Sequence, residues 1–276
     1  MKRRELARIT TILQALGFPA VIVVFAGCGH LPGGEGWGAR AAYPVDWHRI
    51  PVAAKRAALD PITYVPLLGA GVIAAGDFDH RISDWARDHT PLFGSTDNAK
   101  NYSDIGRTVL VAEGFGTALL TPSGNDAGEW AWSKARGLVV EGAAFGLTSV
   151  STEGLKSGIS RERPDRSGDD SMPSGHASSA FSGMALANRN LDYIQMHPYT
   201  RNGIKAANVA AAASVAWARV EGEKHYPADV LVGAALGNFL TRFVHDAFMN
   251  LDEHEQFSFY LEPAPDGGKL FLTWEF

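Results

Sequence analysis

Apolar side chains recur three and four positions apart through most of this chain, and clusters of Gly, Pro, Asn and Asp interrupt the pattern at intervals. That periodicity predicts helices over residues 47–59, 61–75, 80–88, 103–120, 129–155, 174–188, 203–220 and 227–250. The last twenty residues change period. Phe257, Phe259 and Leu261 alternate with more polar neighbours, Asp266-Gly267 is a turn signal, and Leu270, Leu272, Trp274 and Phe276 alternate again, which predicts a C-terminal β-hairpin. A terminal Phe in an alternating aromatic strand resembles the outer-membrane barrel signal, but two strands cannot close a barrel, so the hairpin is expected to pack against the helices. Small residues gather on the faces of two helices, at Gly233, Ala234 and Gly237 and in the alanine run 210–213, where they let backbones approach closely. The fold class is therefore all-α, a helical bundle with a small C-terminal β-hairpin. No internal repeat is evident.

Beyond the N-terminus no uncharged run reaches the length needed to cross a bilayer; the closest, 61–76, lies between Asp60 and Asp77 and contains Pro66 and several glycines. The first residues differ. Lys2, Arg3, Arg4 and Arg8 form a positive region, residues 9–26 are uncharged and largely apolar, and Phe25-Ala26-Gly27-Cys28 follows where a signal peptidase would cut. This resembles a bacterial lipobox, with Phe25 where Leu is usual, and Cys28 is the chain's only cysteine. The expectation is a lipoprotein-type signal peptide over 1–27, lipid on Cys28 and, because Gly29 and not Asp follows, an outer-membrane destination facing the periplasm. Ordinary cleavage after Ala26 and an uncleaved anchor are the alternatives. Residues 28–46, rich in Gly and Pro and without apolar period, read as a tether, 47–250 as one helical domain and 251–276 as its hairpin extension.

Charge narrows the partners. The 276 residues, 46% hydrophobic, suffice for a buried core. Removing residues 1–27 takes away four basic side chains and Glu5 and moves the formal charge from −5 to −8. An acidic surface argues against nucleic acid or anionic lipid as a general electrostatic partner, so any anion must be recognised locally.

Such a locus is written in three blocks: Lys156 with Arg163-Pro164, then Pro173-Ser174-Gly175-His176, then Arg219, His225 and Asp229. A transferring phosphoryl group spreads negative charge over its equatorial oxygens and calls for several fixed donors around one point. Lys156, Arg163 and Arg219 are the candidate cations. Ser174 is a candidate N-cap and Gly175 allows close backbone approach, so the helix that follows would offer unpaired N–H groups to an anion. The pattern K-x6-RP, PSGH, R-x5-H-x3-D resembles the signature of the phosphatidic acid phosphatase type 2 superfamily, which also contains bacterial acid phosphatases and vanadium-dependent haloperoxidases. One departure is visible: Ala218 stands where the family usually has Ser.

The resemblance implies a helical bundle of the acid phosphatase/vanadium haloperoxidase type and a metal-free phosphatase acting on phosphomonoesters or diphosphates, phosphorylated lipids among them. It implies that His225 attacks phosphorus to form a phosphohistidine, that Asp229 holds the opposite ring nitrogen of His225, and that His176 protonates the departing oxygen. No cofactor is implied, and vanadate is expected as an inhibitor. Two rival readings are a vanadium haloperoxidase, with His225 as the vanadate ligand, and a noncatalytic phosphate-binding lipoprotein of the envelope. The helically spaced row Asp77, His80, Asp84 and Asp88 is read as a solvated face in preference to a metal site. Between the first two blocks, Arg166, Asp169 and Asp170 lie near the inferred pocket, where the acids could orient the motif arginines or sort substrate headgroups.

Overall fold

The computed structural model describes residues 28–42, 46–251, 257–262 and 269–274; the expected signal segment, 1–27, lies outside them. Eight helices are described: α1 (Arg49–Leu59), α2 (Pro61–Ala75), α3 (Phe78–His89), α4 (Thr96–Leu120), α5 (Ala127–Ile159), α6 (Gly175–Leu191), α7 (Pro198–Glu221) and α8 (Pro227–Phe248). Two strands, β1 (Phe257–Glu262) and β2 (Lys269–Trp274), pair antiparallel with Phe257 opposite Trp274 and Glu262 opposite Lys269. The turn residues 263–268 are outside the described set.

Caps set the helix limits and explain where the periodicity alone falls short. The Ser95 hydroxyl accepts from Asn98 N at 3.1 Å and starts α4 seven residues before the apolar pattern becomes regular. Asp126 accepts from Gly128 N and Glu129 N, both at 2.9 Å, which starts α5 two residues early. Pro198 opens α7 at its first position, where a missing N–H costs nothing.

α6 is the central helix, with twelve of its seventeen residues buried, and it packs against α4, α5, α7 and α8. Its core includes Phe181 and Met184, which join Leu110 of α4, Val215 and Val220 of α7 and Val230 of α8. Close approach between α6 and α8 depends on two glycines of the small face. A Cβ on Gly233 would lie 2.6 Å from Ser174 O, and one on Gly237 would lie 2.2 Å from Ser178 O. These contacts bring the start of α6 against the start of α8, the two places that carry the second and third sequence blocks.

Residues 28–42 do not form the expected tether. Gly29 and Gly124 exchange backbone hydrogen bonds at 3.0 and 2.8 Å, and Trp37 is fully buried among Ala118, Val140 and Ala144. The glycines that suggested flexibility serve packing: a Cβ on Gly38, whose φ is +82°, would meet Ser133 O at 2.2 Å, and one on Gly137 would meet the Trp37 ring at 2.3 Å. Beneath that ring Lys134 Nζ, 5.0 Å from its centroid, donates to Ala118 O, Thr121 O and Thr121 Oγ1 at 2.5–2.7 Å and so closes the C-terminal end of α4.

The outer surface is unusually apolar along two helices. α2 has no charged residue and turns Tyr64, Val65, Leu67, Leu68 and Val72 outward. α5 exposes Trp132, Val139, Leu147, Val150, Leu155 and Ile159. Among the described residues no single helix is long and apolar enough to cross a membrane, whereas α1 and α2, bent by 54° at Asp60, meet that test together.

The α6–α8 contact yields a paired test by urea denaturation. Gly237→Ala should destabilise the chain by about 1–3 kcal/mol through overpacking. Gly71→Ala, an exposed helical position with nothing within 4 Å of its Cβ, should stabilise it by about 0.5–1 kcal/mol through helix propensity. Equal effects at the two sites would contradict the packing account.

Candidate active site

The three blocks meet at one end of the bundle. Lys156 lies in the last turn of α5, Arg163 in the loop that follows, Ser174 and Gly175 at the start of α6, Arg219 in the last turn of α7, and His225 just before α8. Ser174 is the N-cap of α6, its hydroxyl accepting from Ala177 N at 3.4 Å, and its own N–H donates to Asp229 O at 3.0 Å. A Cβ on Gly175 would lie 3.5 Å from Lys156 Nζ, so the lysine reaches the N-terminus of α6. There the helix dipole and the ammonium favour the same anion.

His225 is buried at the centre of this charge. Its Nδ1 lies 2.6 Å from the carbonyl oxygen of Ser171. A carbonyl only accepts, so Nδ1 carries the proton and the Nε2 lone pair is left for chemistry. Burial, followed by Arg219 and then Arg163 and Lys156, holds the imidazole pKa well below its ordinary value against the raising effect of the Ser171 carbonyl. All three motif cations thus act on one neutral ring. Arg219 is itself pushed down to about 10, first by burial and then by Arg163 and Arg107, with Asp104 opposing, and stays protonated at neutral pH. Arg163 Nε and Arg219 Nε are buried without a hydrogen-bond partner.

Carboxylates hold the cations in place. Asp170 Oδ2 accepts from Arg163 Nη2 at 2.8 Å and lies 3.8 Å from Lys156 Nζ, which also pairs with Glu153 Oε1 at 3.1 Å. Partial burial raises the Asp170 pKa, but Arg163 and Lys156 outweigh it and hold the carboxyl below its usual range. Of the three loop residues singled out in the sequence, Asp170 engages the motif cations, whereas Arg166 and Asp169 are exposed.

Asp229 requires a correction. It was expected to hold the second nitrogen of His225, but that nitrogen is taken by the Ser171 carbonyl, and Asp229 accepts instead from Arg161 Nη1 at 2.5 Å, Ser171 Oγ at 2.6 Å and Tyr226 N at 2.9 Å. The reason is local. Asp229 is the third residue of α8, and its carboxylate turns back to cap the Tyr226 N–H. It steadies His225 indirectly, through the hydroxyl of the residue whose carbonyl the ring uses. Burial pushes its carboxyl pKa up while Ser171, Arg161 and the Tyr226 amide pull it down, with burial the larger.

Four contributors lie outside the three blocks. Arg161 bridges Asp229 and Asp79, the latter at 2.8 Å, and stacks 4.3 Å over the Tyr226 ring. Asp79, buried on α3, also accepts from Ala228 N at 2.8 Å. Ser103 on α4 accepts from Arg219 Nη1 at 3.0 Å, a hydroxyl on the arginine where Ala218 has none. Asp104, its neighbour, lies 2.6 Å from His176 Nε2 and 4.0 Å from Arg219 Nη1. No spacing rule marked them, although Asp79 and Asp104 are acids inside predicted or extended helices. The acidic row named above contributes surface pairs, Asp84 with Arg87 at 2.9 Å and Arg87 with Asp88 at 2.8 Å. Among the described residues no group of three or more His, Cys, Asp or Glu is placed to hold a metal ion.

A family model described as the PAP2 superfamily matches residues 137–252, a span that includes every residue of the three blocks. Over this span the chain is similar to the PAP2 superfamily. The fold agrees: the crystal structure of the first transmembrane PAP2 type phosphatidylglycerolphosphate phosphatase from Bacillus subtilis is 22% identical, with a TM-score of 0.50, over 66% of this chain and 92% of that one. No curated protein matches the chain. The PAP2 match, with the cations gathered about a neutral histidine, supports a phosphatase, a phosphoric ester hydrolase. α4, which brings Ser103 and Asp104, lies outside the matched span. A separate concavity of about 1470 Å³, lined in part by Arg189, Tyr193, Arg201 and Arg242, opens at the opposite end of the bundle and includes no block residue.

The buried neutral His225 makes stability depend on pH. The unfolded chain binds a proton near pH 6.5 that the folded state refuses, so the stabilising contribution is fully present above pH 6.5 and is lost as pH falls below it. His225→Asn, which keeps a donor for the Ser171 carbonyl, should flatten the slope of unfolding free energy between pH 6.5 and 5 by up to about 1.4 kcal/mol per pH unit. Parallel urea-midpoint curves for the two proteins would contradict a neutral buried ring.

Proposed function

We propose that the chain hydrolyses phosphate monoesters or diphosphates, phosphorylated lipids foremost, through a phosphohistidine on His225. The observation that carries this reading is the convergence of Lys156, Arg163 and Arg219 on an imidazole whose Nδ1 is committed to a carbonyl. In the first step the Nε2 lone pair of His225 forms a bond to phosphorus as the P–O bond to the leaving group breaks, and His176 gives its proton to the departing oxygen. Lys156, the Arg163 and Arg219 forks and the N–H groups at the start of α6 take up the charge on the equatorial oxygens. In the second, water attacks phosphorus, the P–N bond breaks, and His176 recovers a proton from the water. The side chains provide the positive charge, so the reaction is proposed to run without metal.

Lipid substrates fit the outward apolar residues of α2 and α5, two of which, Leu155 and Ile159, flank Lys156 along the chain. Such patches on a protein surface favour contact with a membrane. The N-terminal pattern extends the proposal to an envelope protein, with residues 1–27 removed and lipid on Cys28, which is exposed. Mass spectrometry of the mature N-terminus should show an acylated Cys28; a free Cys28 or a start at Gly27 would remove the anchor.

The catalytic test uses the purified chain in detergent with a chelator present. Phosphatidate, an isoprenyl diphosphate and small phosphomonoesters should release inorganic phosphate, vanadate should inhibit, and His225→Asn should fall to background while retaining its thermal transition. Phosphorus NMR of acid-labile protein phosphate should locate the covalent species on His225. Turnover at the wild-type rate in the variant would overturn the assignment, and chelator-sensitive turnover would overturn the metal-free mechanism.

A further inference from the structure

Resting on the phosphatase reading, the geometry points to Asp104 as the positioning carboxylate of His176, holding Nε2–H so that Nδ1 faces the departing oxygen. Asp104 belongs to α4, outside the three blocks and outside the span that matches the PAP2 domain. Its Oδ1 is 2.6 Å from His176 Nε2. A carboxylate oxygen only accepts, so Nε2 carries the hydrogen and the ring's tautomer follows.

The need for such a partner comes from the surroundings. His176 sits beside the anion-binding cations, and the charged groups acting on it are Arg219 from α7 and Arg107 and Asp104 from α4. Burial, then Arg219 and Arg107, push its pKa down to about 4, and Asp104 is the group that pulls the other way. Without Asp104 the ring would face two arginines alone and surrender its proton more readily. An arriving phosphate adds negative charge on the other side and moves the ring further towards protonation. Ser103, the preceding residue, fixes Arg219 at 3.0 Å, so one turn of α4 steadies both the proton donor and a phosphate-binding cation. Asp104 is more than half exposed, with 59% of its side-chain surface open, and its replacement removes no core packing.

The test compares leaving groups. p-Nitrophenolate departs without help, whereas a simple alkoxide must be protonated as it leaves, so Asp104→Asn should cut kcat for an alkyl phosphate such as glycerol phosphate by about 10²-fold or more while the loss on p-nitrophenyl phosphate stays at least tenfold smaller. The basic limb of kcat/KM for the alkyl ester should move to lower pH, because the acid form of His176 is held less tightly. Asp104→Glu should recover part of the alkyl activity. Equal losses on both esters, or none, would overturn the proposal. A second readout does not depend on turnover: in a nitrogen-15 histidine NMR titration the His176 pKa should fall in Asp104→Asn, and an unchanged value would also overturn it. If the wild-type enzyme cleaves neither ester while the NMR shift occurs, the failure lies with the phosphatase reading and not with the Asp104–His176 pair.

Discussion

One buried carboxylate organises this site without touching a reacting atom. Asp229 gathers a guanidinium from Arg161, a hydroxyl from Ser171 and the amide of Tyr226, so the loop between α5 and α6 is tied at two points to the start of α8. Arg161 belongs to the loop that carries Arg163, Ser171 supplies the carbonyl that fixes His225, and Tyr226 follows that histidine. A fully buried carboxylate is costly unless its lone pairs are filled, and this need makes the three attachments mutually dependent. The loop between α5 and α6 is short of regular structure, yet it holds Arg163 and the Ser171 carbonyl in place because Asp229 pins it. Asp79 extends the clamp to α3 through the second nitrogen of Arg161.

The same logic governs the cations. Lys156, Arg163, Arg219 and Arg107 would repel one another if crowded alone, and each that reaches the site has an oxygen partner beside it: Glu153 and Asp170 for the lysine, Asp170 for Arg163, Ser103 and more distantly Asp104 for Arg219. These partners hold the forks in a fixed arrangement before an anion arrives. Pre-set dipoles and charges need little reorganisation during reaction, which is where a phosphoryl-transfer site gains most of its rate. His225 is neutral in this field for the same reason that the cations suit an anion: positive potential that attracts phosphate also discourages protonation of the imidazole.

Most of the bundle could be read from the chain because helices announce themselves through a 3.6-residue period, and the glycines at 233 and 237 marked a close helix contact. The motif blocks were legible as well, since their spacing follows from their places at helix ends: Lys156 and Arg219 in last turns, Ser174 as a cap, and Asp229 in a first turn. Ser103, Asp104, Asp79 and Arg161 were not legible. They act across 65 and more residues of chain, and a single charged residue looks the same in sequence whether it faces water or an active site. The role of Asp229 was misread because its spacing from His225 permits either a bond to the ring or a bond to the helix's own first amide, and only the third dimension separates them. Residues 28–42 were misread because glycine is equally a sign of freedom and of tight contact, and Trp37 is the one side chain there that could have tipped the balance.

The docked N-terminal segment has a mechanical consequence. Gly29 is latched to Gly124 just ahead of α5, while Lys156 stands in the last turn of that same helix, about 44 Å further on at 1.5 Å per residue. With Trp37 buried and Gly36 and Gly38 pressed against backbone, this joint cannot act as a leash that lets the domain roam. Anything that grips the chain at Cys28 holds it by the far tip of a rigid strut, and the reach of the phosphate-handling end is decided by the tilt of that strut. A strut lying flat, its row of outward Trp132, Val139, Leu147 and Val150 turned down, would bring tip and working end to one plane; a strut standing upright would carry the working end several nanometres off it.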